Sequence, residues 1–148
     1  ETKVFCTFSR EIVDENREAD MTVLDLFDPE KLDMLVLTSY PHSVQGVNRP
    51  GDIPSDYYSG VAERMPGKPF GFSEIAWPSM DDFGGEAAQA EFITILPGLT
   101  AGRGLDLELL MWPWRHDLGE MDCTGLIGYD GVDKAGLAEW KKLYGSPP

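Results

Sequence analysis

Strands and helices alternating into a parallel α/β sheet are written into the hydropathy pattern of this 148-residue chain. Four apolar runs recur, KVFCTF (3–8), LDMLVLTSY (32–40), KPFGFSEIAW (68–77) and LDLELLMW (105–112). Their starts lie roughly 30–40 residues apart, the size of a strand–helix unit. Patterns with helical period fall between them, and alternation of the two periods argues for a parallel sheet.

Taken in order, KVFCTF reads as a first strand with Cys6 as a small buried apolar residue. READMTVLDLF has room for a helix, and DPEKL (28–32) for one short helical turn. The middle of LDMLVLTSY is almost continuously apolar, which suits a strand buried on both faces. SDYYSGVAERM (55–65) reads as a helix with Ser55 as N-cap and Tyr58, Val61 and Met65 on its apolar side. KPFGFSEIAW is the third strand. GGEAAQAEFITIL (84–96) is rich in helix formers, with Ala88, Phe92 and Ile95 on one stripe, and Pro97-Gly98 is expected to stop it. LDLELLMW alternates at first, so its start should be half-exposed. DKAGLAEWKKLYG (133–145) reads as a closing helix from an Asp133 cap to Gly145, with Leu137, Trp140 and Tyr144 as its stripe. The whole, residues 1–148, is expected to be one domain.

Composition narrows the function classes. Hydrophobic residues make up 42% of the chain, the level of a globular protein. Twelve basic against 26 acidic residues give a net charge of −14. Such a surface repels phosphate backbones and anionic lipid, so neither nucleic acid nor a membrane is an expected partner. No apolar run approaches the ~20 residues of a membrane helix. The start, ETKVF, is not a signal peptide and lacks an initiator Met, as expected of a processed chain or a piece of a longer one. Cys6 and Cys123 define neither a disulfide framework nor a zinc site, and His42 and His116 stand outside any His-x-x-x-His spacing. No metal and no cofactor is expected.

Ligands of parallel α/β sheets bind at the carboxyl ends of the strands. Those ends carry Ser9, Arg10 and Glu11; Ser39, Tyr40, Pro41 and His42; Glu74 and Trp77; and Trp112, Trp114, Arg115, His116 and Asp117. A carboxylate among Tyr and Trp side chains is what a sugar site needs: aromatic faces stack on pyranose rings, and the carboxylate attacks or supports an oxocarbenium-like centre. A Tyr hydroxyl can hold such a carboxylate in one rotamer. The plainer readings are an ion pair of Glu74 with Arg10 or Arg115, a Tyr40 that packs at its strand end, tryptophans that belong to the core, and His42 as a loop histidine. Asp81, Asp82 and Glu86 follow Glu74 too closely to be its partner. Glu86 suits a helix N-terminus.

These segments, in this order, resemble the carboxyl-terminal half of a (β/α)8-barrel glycoside hydrolase, of the large clan of retaining enzymes with both catalytic glutamates on barrel strands. VFCTFSRE is similar to the fifth strand, LDMLVLTSYP to the sixth and FGFSEIAWPS to the seventh. GGEAAQAEFI resembles the helix after the seventh, LELLMWPWRHD the eighth strand, and GLIGYDGVDKAGLAEW the closing segment. The resemblance covers nearly the whole chain. It implies half of a barrel, four parallel strands alternating with helices, acting on carbohydrate. It implies Glu74 as nucleophile and Tyr40 as its hydrogen-bond partner. Trp112 or Trp114 would be the platform under the sugar, with Trp77 a further contact along the groove. Apart from the resemblance, His42 and Glu11 are candidate sugar contacts on their places after the strands.

One departure from the family pattern is large. The general acid/base should be a Glu following an Asn on the fourth strand. Here Asn16 precedes Arg17, Asn48 precedes Arg49, and nothing corresponds to strands one to four. A full barrel takes about 250 residues. Two completions are open: a missing N-terminal half-barrel, or a homodimer that closes the barrel by two-fold symmetry. In the dimer, Glu11 of the second copy could serve as the acid. A third reading is a non-catalytic carbohydrate-binding or interaction module. Location is undetermined, secretion being common in the family.

Overall fold

The computed structural model describes residues 2–12, 17–119 and 122–143. Four strands, β1 (Thr7–Ser9), β4 (Leu35–Ser39), β5 (Phe70–Ile75) and β6 (Leu107–Leu110), pair in that order, all parallel. Two further strands, β2 (Glu11–Ile12) and β3 (Arg17–Glu18), form a small antiparallel ladder of their own. The helices are α1 (Ser59–Ala62), α2 (Gly85–Leu99) and α3 (Ala135–Leu143), with short 3-10 turns between elements. This is the expected alternation of parallel strands and helical connections.

The core lies between the sheet and its helices. Leu35 and Leu37 of β4, Phe70, Phe72 and Ile75 of β5, and Phe8 of β1 join Tyr58, Val61, Phe92 and Leu96 in one buried cluster. The register places Val36, Thr38, Gly71, Glu74 and Leu109 in the alternate set, on the opposite face. β4 is buried on both faces, as its continuous apolar run requires. A bulge at Ser73 lets Thr38 pair with Glu74. It keeps the carboxylate on the face away from the helices.

Several local expectations change. The first strand is shorter than KVFCTF. Val4 exchanges bonds with Asp33 (its N–H to Oδ2 at 2.7 Å, its carbonyl from Asp33 N at 2.8 Å), so pairing with β4 begins only at Thr7. Cys6, ahead of the strand, is exposed rather than buried. The 55–65 helix shrinks to one α-turn, and Tyr58, not Ser55, occupies the N-cap position. Tyr57 N–H goes to Pro54 O and Val61 N–H to Tyr58 O, the tighter three-residue pattern. Tyr58, Val61 and Met65 are nonetheless buried as the stripe predicts. READMTVLDLF holds a 3-10 turn at Met21–Leu26 instead of a helix, while DPEKL forms its expected short turn, as a 3-10 turn at Pro29–Lys31; each is capped by an Asp side chain.

Pro97 does not stop α2, which runs on to Leu99. Proline fits helical φ and forgoes one bond; burial of Leu96 and Leu99 and a Thr100 hydroxyl bond to Leu96 O at 2.9 Å hold the last turn. Tyr144 and Gly145 of the closing helix lie outside the described residues.

Candidate active site

Tyr40 and Glu74 follow or end adjacent parallel strands, β4 and β5. Ser39 pairs with Ile75 and Thr38 with Glu74, so the two side chains emerge at one level. The Tyr40 hydroxyl donates to Glu74 Oε2 at 2.7 Å. Burial, then the Glu74 bond and charge, push the Tyr40 phenol far above its ordinary range, so it is a proton-bearing donor at any working pH. Among the described residues Glu74 makes no ion pair, which sets aside its pairing with Arg10 or Arg115. Arg10 is buried, its guanidinium 3.9 Å from the centre of the Tyr57 ring and its Nε donating to Tyr57 O.

Beneath Tyr40 lies a buried carboxylate. Glu11 is 2% exposed. Its Oε1 accepts from Ser39 Oγ at 2.7 Å and Tyr57 OH at 2.8 Å, and its Oε2 accepts from Tyr40 N at 2.8 Å. Burial raises its pKa, opposed by these three bonds and by Arg10. Tyr57 and Tyr58 are both raised, chiefly by burial and the Glu11 charge. Glu11 is therefore corrected as a partner-supplied acid or a sugar contact: both its oxygens are engaged inside its own chain.

The tryptophans separate into different surroundings. Trp77 is 0% exposed, its Nε1 donating to Phe83 O at 3.0 Å and its ring 5.6 Å from Phe92 of α2. A side chain so enclosed cannot contact a sugar, which corrects that expectation. Trp112 donates to Thr124 O at 2.7 Å and packs 5.4 Å from Trp140 of α3 and 6.3 Å from Phe92. Its partly buried ring therefore packs toward α2 and α3. Trp112 and Trp114 do share one side. Both line a cavity of about 410 Å³ with Trp140, and Arg115, Asp133 and Lys141 supply its polar groups. Trp114 is 45% exposed.

His42 stands in an aromatic group, 6.2 Å from Tyr40, 5.8 Å from Trp77 and 4.9 Å from Phe83. Burial lowers its pKa to about 4, so it is neutral at pH 7. Its Nδ1 has no hydrogen-bond partner among the described residues.

Two features of the rim escape a reading by strand ends. Asp122 is close enough to Tyr40 for its charge to raise the phenol pKa, and Thr124 Oγ1 holds its Oδ1 at 2.9 Å. Lys134, buried, donates to Asp117 Oδ1 at 2.7 Å and Ser79 Oγ at 2.8 Å. Ser79 in turn donates to Cys123 O at 3.0 Å. This strut ties the loop after β5 to the segment after β6 and to the start of α3. The signal available was a lone lysine ahead of the closing helix in a strongly acidic chain. Among the described residues no cluster of three or more His, Cys, Asp or Glu is placed to hold a metal, and no helix is long and apolar enough to cross a membrane.

No family model and no curated protein matches the chain. Among solved structures it is similar to a glycoside hydrolase family 17 β-1,3-glucanosyltransferase from Rhizomucor miehei, at 24% identity and a TM-score of 0.51. The match covers 73% of this chain and 43% of that one. An active-site mutant of the Rhizomucor miehei β-1,3-glucanosyltransferase, in complex with laminaritriose, matches over the same shares at 20% identity and a TM-score of 0.46. The chain thus spans less than half the length of the solved chains it resembles. At this identity the likeness is one of fold: four parallel strands alternating with helices, corresponding to part of a glycoside hydrolase (β/α)8 barrel.

Proposed function

We propose that residues 1–148 form a single half-barrel domain that supplies the nucleophile half of a retaining carbohydrate-cleaving site. The observation that carries this is the 2.7 Å bond from Tyr40 to Glu74 at the carboxyl ends of neighbouring strands, on the face away from the helices. Glu74 attacks the anomeric carbon, the bond to the leaving oxygen breaks, and water later releases the sugar from the glycosyl-enzyme. Tyr40 holds the carboxylate in an attacking rotamer. The leaving oxygen needs a proton from a second carboxyl about 5–5.5 Å from the first. That acid comes from the rest of the barrel, either a second copy or an N-terminal half. Two features support such a completion: among the described residues β1 and β6 each have one neighbour in the sheet, and Met111 beyond β6 is half exposed.

β-Glucosides are the natural first probes, since the solved neighbour is named as a β-1,3-glucanosyltransferase. Aryl β-glucoside hydrolysis should disappear in Glu74→Gln while binding of a gluco-oligosaccharide persists. Hydrolysis that survives Glu74→Gln would remove Glu74 from the mechanism.

A second reading, a carbohydrate-binding module without turnover, draws on the cavity of Trp112, Trp114 and Trp140 with its polar rim. On that reading Glu74→Gln changes nothing measurable, and Trp114→Ala abolishes binding.

A further inference from the structure

We propose that Glu11 is a positioning residue: its carboxylate replaces a missing strand acceptor, fixes the Tyr40 backbone and thereby orients Glu74. The inference rests on the reading of Tyr40 and Glu74 as a functional pair.

The argument starts with the ladder between β1 and β4. Arg10 N–H bonds to Thr38 O at 2.9 Å, one step past the end of β1. In a regular parallel ladder the next bond would run from Tyr40 N–H to Arg10 O. That carbonyl is taken instead by Ala19 N at 3.0 Å, beside the small β2–β3 ladder. Tyr40 N–H would be left without its strand partner at the point where the chain turns. Glu11 Oε2 occupies that place at 2.8 Å. The backbone there needs the support. Tyr40 precedes Pro41, so its conformations are restricted, and it sits at φ −133 and ψ 71, off the extended strand.

The other oxygen is fixed by the core. The single Ser39 hydroxyl proton goes to Glu11 Oε1, so Tyr58 OH donates to Ser39 Oγ at 2.9 Å. Tyr57 OH donates to the same Oε1. Three hydrogen bonds thus end on one carboxylate, with Tyr58 feeding in through Ser39, and an acceptor-only group suits three donors. A glutamine in this place would turn its NH2 toward a donor, either the Tyr40 amide or the two hydroxyls. A buried carboxylate is a costly way to fasten a loop. Its location directly under the residue that grips Glu74 is what assigns it more than a fastening role.

The test follows the Tyr40 phenol Cζ signal by NMR, in the protein labelled at tyrosine. The displacement of this signal between wild type and Glu74→Gln reports the bond to the Glu74 carboxylate. In a Glu11→Gln background the same change at position 74 is expected to move the signal far less. Tyr57→Phe removes one core donor but leaves the Tyr40 amide bond, and is expected to lower stability while leaving that displacement in place. An undiminished displacement in folded Glu11→Gln would overturn the proposal. So would equal loss in Tyr57→Phe, which would mean general loosening. Should Glu11→Gln fail to fold, amide hydrogen exchange on the wild-type protein decides. Tyr40 N–H should be protected like the Arg10 amide, and free exchange at Tyr40 contradicts the assignment. A coupled Tyr40–Glu74 pair in a protein without hydrolysis would leave this proposal standing and remove the catalytic reading alone.

Discussion

Tyr40 and Glu74 stand one strand apart at the rim of the sheet, and the hydroxyl of the first donates to the carboxylate of the second at 2.7 Å. The register of β4 and β5 dictates the meeting, because the bulge at Ser73 brings Glu74 level with Thr38 and keeps it off the helix-covered face. The phenol is held protonated far into the alkaline range, so the donor proton of this bond is not lost there.

Tyr40→Phe should therefore slow any glycosylation of Glu74. A hydrogen bond to a charged group contributes about 1.5–3 kcal/mol, which corresponds to roughly a 10–150-fold loss in rate. The check is the rate of covalent labelling of Glu74 in the variant against wild type, with unfolding measured alongside. An unchanged rate would leave Tyr40 as a packing residue.

Lys134→Met should be among the most damaging single changes. Lys134 and Asp117 have side chains each 6% exposed, and Asp117 Oδ1 also accepts Gly125 N–H at 2.9 Å. Removing one partner of a buried pair costs about 3–5 kcal/mol because the other charge is left behind. Denaturant unfolding of Lys134→Met, Asp117→Asn and the double variant is expected to show a double-variant loss well short of additive.

Two glycines should respond in opposite ways. A Cβ on Gly71 would stand 2.8 Å from Leu109 Cβ and 3.2 Å from Leu109 O on the neighbouring strand. Gly71→Ala should destabilise by about 1–3 kcal/mol, the range for overpacked cores. Gly60 in α1 has open space at its Cβ position. Gly60→Ala should be neutral or stabilising by about 0.4–1 kcal/mol. Thermal melts of the two variants check the pair.

His42 should make stability depend on mild acid. Its folded-state pKa is about 4 against an ordinary 6.5. Between those values the unfolded chain takes up a proton that the folded protein does not. The contribution is complete above about pH 6.5 and is lost as pH falls toward about 4. His42→Phe removes the titration. The stability difference between wild type and variant should then move against wild type on acidification through this window and level off below it.

Much of this arrangement was legible in the sequence, and where it was not the reason is physical. The β4 run and the β5 run are apolar enough to be buried whatever surrounds them, so their place, though not their length, could be read directly, and with it Glu74 near a strand end. Cys6 sits in an equally apolar run yet is exposed, because Asp33 competes for the backbone at Val4 and delays pairing until Thr7. Pro97 marks a helix end by local propensity alone, and tertiary burial of Leu99 overrides it. Trp77 follows a strand end as a ligand contact would. Which way an indole turns after a strand has ended is set by the helices, and Phe92 of α2 draws this ring to the helix side. Glu11 was visible as a carboxylate but not as a buried one, since its three donors come from positions 39, 40 and 57.

The most direct test of the central claim uses a 2-deoxy-2-fluoro-β-glucoside with a dinitrophenolate leaving group. Such a leaving group departs without a general acid, so the nucleophile can be trapped even where the acid belongs to another half of the barrel. Peptide mapping by mass spectrometry is expected to find a single fluoroglucosyl ester on Glu74, absent from Glu74→Gln. No adduct, or an adduct on another carboxylate, would contradict Glu74 as the nucleophile.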